Sequence, residues 1–295
     1  MLRILEPGLY TLVVDHGRPG SRSLGVPVGG AADRQSLALG NALVGNPPDA
    51  AALEISLAGP TVQSGCDLAC VVFGAPFDLT CGQRRLRPGA TFNLAAGEVL
   101  RIGGTRTGMR AYLCLRGGID HPAVLGSRSA FEPLQAGAEL ACVPGQAPVR
   151  FIRDAGEPPG PLRILPGAQA DWFDLRRFAA ETCTVTSASN RMGLRLRGEP
   201  VPLPGRELVS EPVCPGAVQV TRDGQCIILG VDGQTIGGYP KIAQVVSADL
   251  DRLGQLRPGD VVSFMEVNLE EAEELYRQKA AELRQWLRRL QTATT

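Results

Sequence analysis

The spread of glycine and proline constrains this chain more than any other feature: 36 glycines and 23 prolines punctuate a sequence of 295 residues from end to end. Proline removes a backbone donor and glycine gives up the most conformational freedom on ordering, so neither continues a long helix or a central strand. The apolar runs between them are short and β-rich, at 9–14, 68–73, 99–102 and 110–115, and again at 162–165, 182–186, 217–220, 226–229 and 261–264. Short strands with frequent turns are the pattern of sheet sandwiches and barrels. The two series flank Glu157-Pro158-Pro159-Gly160-Pro161. The predicted organisation is therefore an N-terminal β-rich lobe, 1–156, and a C-terminal β-barrel lobe, 157–295. Leu86-Arg87-Pro88-Gly89 and Leu256-Arg257-Pro258-Gly259 repeat a phrase that reads as a shared turn, since nothing longer repeats.

Three helices interrupt the strands, so the fold class is mainly β with a few helices. Asp33 can cap a helix running toward Leu43, stopped by Gly45-Asn46-Pro47. Apolar residues at 242, 245, 246, 250 and 253 have helical spacing, which predicts a helix starting just after Pro240. Asn268, with Glu271 three residues on, opens a long C-terminal helix over 268–291 through a capping-box arrangement. Its stripe of Leu269, Ala272, Leu275, Tyr276, Leu283, Trp286, Leu287 and Leu290 packs on its own lobe or, around Trp286, on a partner.

Thirty basic residues balance thirty acidic ones, so charge gives no reason to expect nucleic acid or an anionic membrane as partner. The first residues lack the pattern of a secretory signal, and no apolar run approaches the roughly 20 residues that span a bilayer, so a cytoplasmic location is expected. The eight cysteines sit mostly inside apolar runs, where cysteine behaves as a small hydrophobe. Cys66 and Cys70 have no second ligand pair, and no metal site is expected. A P-loop and a Gly-x-Ser-x-Gly elbow are both missing, and His16 and His121 are the only histidines. Nothing resembles a biotinyl-lysine segment, so the chain carries no covalent biotin.

Four polar, glycine-bearing clusters remain. Gly29-Gly30 before the Asp33 helix could offer amides to an anion, or simply form a turn. Arg116-Gly117-Gly118, followed by Asp120 and by Arg128 within Leu125-Gly126-Ser127-Arg128-Ser129, joins a guanidinium fork to bare amides. That combination suits a carboxylate or phosphoryl group; alternatively Arg116 braces the turn through Asp120. Ser189-Asn190-Arg191 puts a hydroxyl, an amide and a cation at a strand end, as a solvated loop would. The densest cluster holds Ser210-Glu211, Gln219, Asp232, Gln234, Gly237-Gly238-Tyr239 and Lys241, the last being one of two lysines in the chain. A lysine among so many arginines hints at a point charge or a titratable amine, and the expected helix after Pro240 would add its N-terminal field.

Leu-Arg-Gly-Gly-Ile-Asp at 115–120, Leu-Gly-Ser-Arg-Ser at 125–129 and Ser-Asn-Arg-Met-Gly-Leu-Arg-Leu at 189–196 occur in that order. They are followed by Ser-Glu at 210–211, Pro-Gly-Ala-Val-Gln at 215–219 and Gly-Gln-Thr-Ile-Gly-Gly-Tyr-Pro-Lys-Ile-Ala at 233–243. Together these resemble the biotin-dependent carboxyltransferase family, which includes allophanate hydrolase subunit 2, KipI antagonists and the C component of bacterial 5-oxoprolinase. The likeness runs from about residue 3 to 266; Gly254 and Cys226 depart from the pattern in ways that read as packing changes. It implies two cyclophilin-like β-barrel lobes. It also implies one component of an ATP-dependent 5-oxoprolinase, working with a KipI-like B component and a LamB/YcsF-like A component, with ATP and Mg2+ as cofactors. Under it, Lys241, Asp232 and Glu211 take catalytic roles. Arg116, Gly117, Gly118, Arg128, Asn190, Arg191, Gln219, Gln234, Gly237, Gly238 and Tyr239 hold substrate or phosphate. The same family also supports carboxyl transfer from carboxybiotin to a urea-like amide, or a non-catalytic regulator that binds a KipI-like protein.

Overall fold

A computed structural model describes residues 1–152 and 160–292; the expected junction at residue 157 lies outside them. The chain forms two compact units: residues 1–18, 29–156 and 283–295, and residues 19–28 with 157–282. Architecture is mainly β, and all nine apolar runs read from the sequence lie on strands. No helix among the described residues is long and apolar enough to cross a membrane.

The first unit has two sheets. One orders its strands Ile119–Asp120, Glu139–Cys142, Leu2–Glu6, Thr61–Ser64, Val99–Thr105, Phe77–Cys81 and Arg84–Leu86. The other orders Tyr10–Val14, Ala52–Ser56, Arg110–Leu115, Leu68–Gly74 and Phe92–Leu94. Leu2, Ile4, Val62, Phe77 and Leu100 of the first sheet meet Val13, Leu53, Ile55, Val72 and Leu113 of the second in one core. The helix Arg34–Leu43 packs on the far face of the second sheet, burying Leu37, Leu39 and Leu43 against Val71, Phe73, Tyr112 and Cys114. That sheet is therefore covered on both faces, and Arg110–Leu115 is buried along its whole length. Continuous burial explains why its strands read as unbroken apolar runs rather than alternating ones. Gly40 permits the close approach, because a Cβ there would stand 2.9 Å from Cys114 Sγ and 3.1 Å from Phe73 Cβ. Asp33 caps the helix as expected, its Oδ1 accepting from Ser36 N–H at 2.9 Å.

The second unit contains a closed seven-stranded barrel. Its strands run Leu162–Pro166, Lys241–Val245, Ala217–Val220, Cys226–Leu229, Gly193–Arg197, Thr182–Val185 and Val261–Glu266 around the wall. The closing pair, Leu162–Pro166 with Val261–Glu266, is parallel, and the other neighbours are antiparallel. Every second residue points inward: Leu162 and Ile164, Leu194 and Leu196, Val218 and Val220, Cys226 and Ile228 share the core. Cys226 is one of these inward residues, and burial pushes its thiol pKa up to about 12.

Residues 241–245, expected in a helix, are a strand; only Ser247–Asp249 and Leu250–Leu253 are helical, as two short turns. The spacing that suggested a helix mixes two sources. Ile242, Ala243 and Val245 fill the barrel, whereas Leu250 and Leu253 pack on it from the following turns. Helix-field stabilisation of an anion beside Lys241 is thereby removed.

The C-terminal helix spans Leu269–Thr292. Its capping box is formed in both directions: Asn268 N–H donates to Glu271 Oε2 and Glu271 N–H to Asn268 Oδ1, each at 2.9 Å. From Leu283 onward it belongs to the first unit, where Leu283, Trp286, Leu287 and Leu290 join the cluster around Leu37 and Tyr112.

Candidate functional site

Gln219 alternates with the core residues Val218 and Val220, so its side chain projects from the outer face of the barrel wall. Lys241 pairs with it across the sheet, next to a register shift at Val218/Gln219 that reorients the wall locally. A two-stranded ribbon, Glu211–Pro212 with Ile236–Gly237, brings Glu211 and Gly237 opposite one another in the same unit. The Lys241 ammonium donates to Glu211 Oε1, and the same oxygen accepts from Gln169 Nε2 at 2.8 Å. Gln169 Oε1 in turn accepts from the Lys241 backbone N–H at 3.0 Å. One buried amide thus grips both the main chain of the lysine and the carboxylate that faces it.

This network sets the charge state of Glu211. Hydrogen bonds from Lys241 first, then Gln169, outweigh desolvation and hold its pKa below the usual carboxylate range. Glu211 is ionised at neutral pH and committed to Lys241, so its chemical part is to hold the ammonium in place. Lys241 is 6% exposed, and Gly167 allows the chain to pass close behind it. A Cβ at Gly167 would fall on the Lys241 carbonyl and come within 2.7 Å of the Ala243 nitrogen.

Gln219 is 1% exposed, and its Nε2 has no hydrogen-bond partner among the described residues. It faces Gly237: a Cβ on that glycine would stand 2.7 Å from Gln219 Nε2 and 3.4 Å from Gln234 Nε2. Gly238 passes Ser210 similarly, a Cβ there lying 3.2 Å from Ser210 Oγ. Tyr239 and Gln234 are exposed beside them. Lys241, Glu211, Gln219, Gln234, Gly237 and Gly238 therefore converge, with Tyr239 next in the chain.

Other expected site residues form supporting structure. Arg191 Nε and Nη2 donate to the two carboxylate oxygens of Asp232 at 2.6 and 3.1 Å, a bidentate pair that ties the loop before Gln234 to the turn at Met192. Asp232 is thereby occupied as an acceptor for Arg191. Asn190 Oδ1 accepts from Met192 N–H at 2.9 Å, a local turn contact.

In the first unit the expected anion cradle at Arg116 and the two glycines is closed by internal bonds. Gly117 N–H donates to Asn46 Oδ1 at 2.7 Å and Gly118 N–H to the Leu115 carbonyl at 2.9 Å. Both glycines have positive φ, 83° and 75°, which accounts for their presence in the turn. Arg116 donates to the Gln146 carbonyl. Arg128, rather than Arg116, pairs with Asp120, at 2.6 Å. The Leu125–Ser129 motif is held from below by Asp15, whose Oδ1 accepts from Ser127 Oγ and Ser129 Oγ, both at 2.6 Å. Burial works to raise the Asp15 pKa, but these bonds and the Gly17 and Arg128 N–H groups hold it below its ordinary value. The amides after Gly29-Gly30 are engaged too: Ala31 N–H donates to the Asp15 carbonyl, Ala32 N–H to Glu54 Oε2 and Asp33 N–H to Tyr112 Oη, all at 2.8 Å.

Two members of the site were not legible beforehand. Gln169 stands in Pro166-Gly167-Ala168-Gln169, which carries no motif. Arg22, in the segment 19–28 that belongs to the second unit, donates through Nη2 to the Val213 carbonyl and, at 3.3 Å, to the Gln234 carbonyl. No local signal marks an arginine nearly two hundred residues earlier as a neighbour of either carbonyl.

The chain that carries this barrel and network matches a known family of domains. The chain belongs to the family of the carboxyltransferase domain, subdomain A and B, whose model matches residues 24–266. It is 37% identical over 288 residues to the 5-oxoprolinase C component of Escherichia coli K12, covering 92% of this chain and 93% of that protein. Similarity to the 5-oxoprolinase C component of Haemophilus influenzae is 34% over 292 residues, 94% of each chain. Among solved structures, the urea amidolyase of K. lactis superposes with a TM-score of 0.87 at 28% identity. It covers 97% of this chain, which spans 20% of that protein.

Proposed function

We propose that this chain is the C component of an ATP-dependent 5-oxoprolinase that opens 5-oxo-L-proline to L-glutamate with a KipI-like B component and a LamB/YcsF-like A component. The observation that carries the reading is end-to-end similarity to two bacterial proteins of that name, covering at least 93% of each. Carboxyl transfer to a urea-like amide is the second reading, supported by the match to urea amidolyase over 97% of this chain.

In the leading reading a small cyclic amide meets the Lys241 cluster. Lactam opening builds negative charge on the carbonyl oxygen, and a fixed ammonium beside it stabilises that charge. Glu211 and Gln169 position the Lys241 side chain and backbone, while Gln219 and Gln234 orient the amide. Tyr239 borders the same ribbon. In the complex, activation of the lactam carbonyl would be the chemistry that ATP with Mg2+ contributes when bound. On this chain the glycine turns at 29–30 and 117–118 do not fit a triphosphate, since the amides at 31–33, 117 and 118 are already bonded internally.

The test is 5-oxoproline-dependent ADP release by the chain alone and with candidate A and B components. Activity is expected only in the full mixture, and Lys241→Ala abolishes it while the complex still assembles. Full activity in that variant removes Lys241 from the mechanism. No turnover in any verified complex removes the lactamase reading in favour of carboxyl transfer or regulation.

A further inference from the structure

A cavity of about 220 Å3 lies at one end of the barrel in the second unit. It sits where the strand Thr182–Val185 begins, where Gly193–Arg197 ends, and where the chain turns into Cys226–Leu229. The short helix Leu175–Ala180 forms one side. No residue of the Lys241 network lines it.

The inner walls are apolar. Trp172, Phe173, Phe178, Cys183, Val201 and Cys226 form them, and Phe178, Cys183 and Cys226 are buried. Burial pushes the Cys183 thiol up and that of Cys226 to about 12, so both sulfurs stay protonated and act as apolar surface. No lining residue has a buried side-chain nitrogen or oxygen without a partner among the described residues. The Gln225 carboxamide is engaged by the Gly198 backbone, its Oε1 accepting at 3.2 Å and its Nε2 donating at 3.4 Å. A buried water needs roughly 2–4 polar partners; the inner side chains offer it only weak thiols and the indole N–H. Asp174, Arg177, Glu181 and Glu199 also line the cavity but are exposed, which places them at its mouth.

The space is also preformed. Phe178 is fixed from behind by stacking on Phe264, ring centroids 4.7 Å apart. Val201 stands between two prolines, and its N–H donates to the Gly224 carbonyl at 2.9 Å. A ligand entering here orders little of the wall, which favours binding.

We propose that this cavity binds a small single-ring aromatic molecule, its uncharged ring lying against Phe178, Cys183 and Cys226. Apolar cavities of roughly 150 Å3 stay dry and take up benzene, so 220 Å3 leaves room for a ring with one or two small substituents. Three aromatic rings and two sulfurs in the wall favour an aromatic occupant over an aliphatic one, through ring–ring and sulfur–ring contacts.

The test is fluorine NMR titration of the full chain with 4-fluorotoluene and with 4-fluorobenzoate, which has a carboxylate in place of the methyl group. A saturable shift is expected for 4-fluorotoluene, with affinity at least about 10-fold above that for 4-fluorobenzoate, because the cavity floor offers a buried carboxylate no partner. Cys226→Leu fills the floor and Val201→Trp fills the wall nearer the mouth. Each abolishes the shift, with circular dichroism confirming that the variants fold. Absence of a saturable shift in wild type overturns the proposal. So does equal affinity for the two probes, or binding that survives both substitutions, the result expected of apolar adhesion elsewhere. The cavity and the Lys241 cluster share no residue, so this binding is judged apart from ADP release.

Discussion

Replacing Asp249 by asparagine tests how the barrel of the second unit is locked. Asp249 is 0% exposed. Its carboxylate accepts from the Arg163 backbone N–H at 2.8 Å, from Arg163 Nε at 3.0 Å, from Arg163 Nη2 and from Arg252 Nη1 at 3.2 Å. Arg163 lies on the first barrel strand and Asp249 on the turn after Lys241–Val245, so the cluster pins neighbouring strands at one end. Asparagine keeps the shape and one acceptor but removes the charge that compensates two guanidinium groups. Breaking a buried pair by removing one partner costs about 3–5 kcal/mol. Because the Arg163 side chain is 24% exposed and regains some water, the lower end, about 3 kcal/mol, is expected.

At about 2–4 °C per kcal/mol for a unit of this size, the melting transition of the second unit should fall by about 6–12 °C. Differential scanning calorimetry reads it, with the transition of the first unit as internal control. The effect also has a signed pH dependence. Burial works to raise the Asp249 pKa, but the Arg163 and Arg252 contacts outweigh it and the folded-state pKa is lowered. A depressed carboxylate contributes stability that is present above its unfolded pKa of about 3.9 and lost as pH falls through the folded value. The gap between wild type and Asp249→Asn is therefore full at pH 7 and closes in strong acid. A shift below about 2 °C at neutral pH, or a gap that stays constant down to pH 2, would refute this account of the lock.

Two further substitutions probe the site and the C-terminal helix. Gly167→Ala drives a methyl group into the Lys241 backbone and is expected to cost about 1–3 kcal/mol as overpacking while lowering ADP release by the complex; thermal melting and the activity assay should move together, and no change in either contradicts the close approach. Asn268→Ala removes one half of the capping box and should cost about 1 kcal/mol, seen as faster hydrogen exchange confined to the first turn of Leu269–Thr292.

The residues that organise the site differ in how visible they were. Lys241 stood out because lysine is rare in this chain, and Glu211, Gln219 and Gly237 through motifs that run continuously along it. The glycine clusters misled in a specific way. Gly29-Gly30 and Gly117-Gly118 mark turns with positive φ, but whether the neighbouring amides are free depends on Asn46, Glu54 and Tyr112, which come from elsewhere in the sequence. The helix expected over 242–253 failed for a related reason: Ile242 and Val245 fill the barrel, Val246 packs in a separate cluster, and Leu250 and Leu253 belong to later turns, and spacing along one segment does not tell these apart.

Local chemistry settled nine of the strands, the Asp33 cap, the Asn268–Glu271 box and the membership of a carboxyltransferase family, because each depends on residues within a few positions or on motifs read in order. Barrel closure, the grip of Gln169 on Lys241, the engagement of Asp232 by Arg191 and the placing of Arg22 on the Gln234 carbonyl depend on contacts between residues 41 to 212 positions apart. Such contacts form only when strand pairing brings distant segments together. The energies that select them, burial of apolar faces and satisfaction of buried donors, are properties of the assembled volume and not of any one stretch of chain.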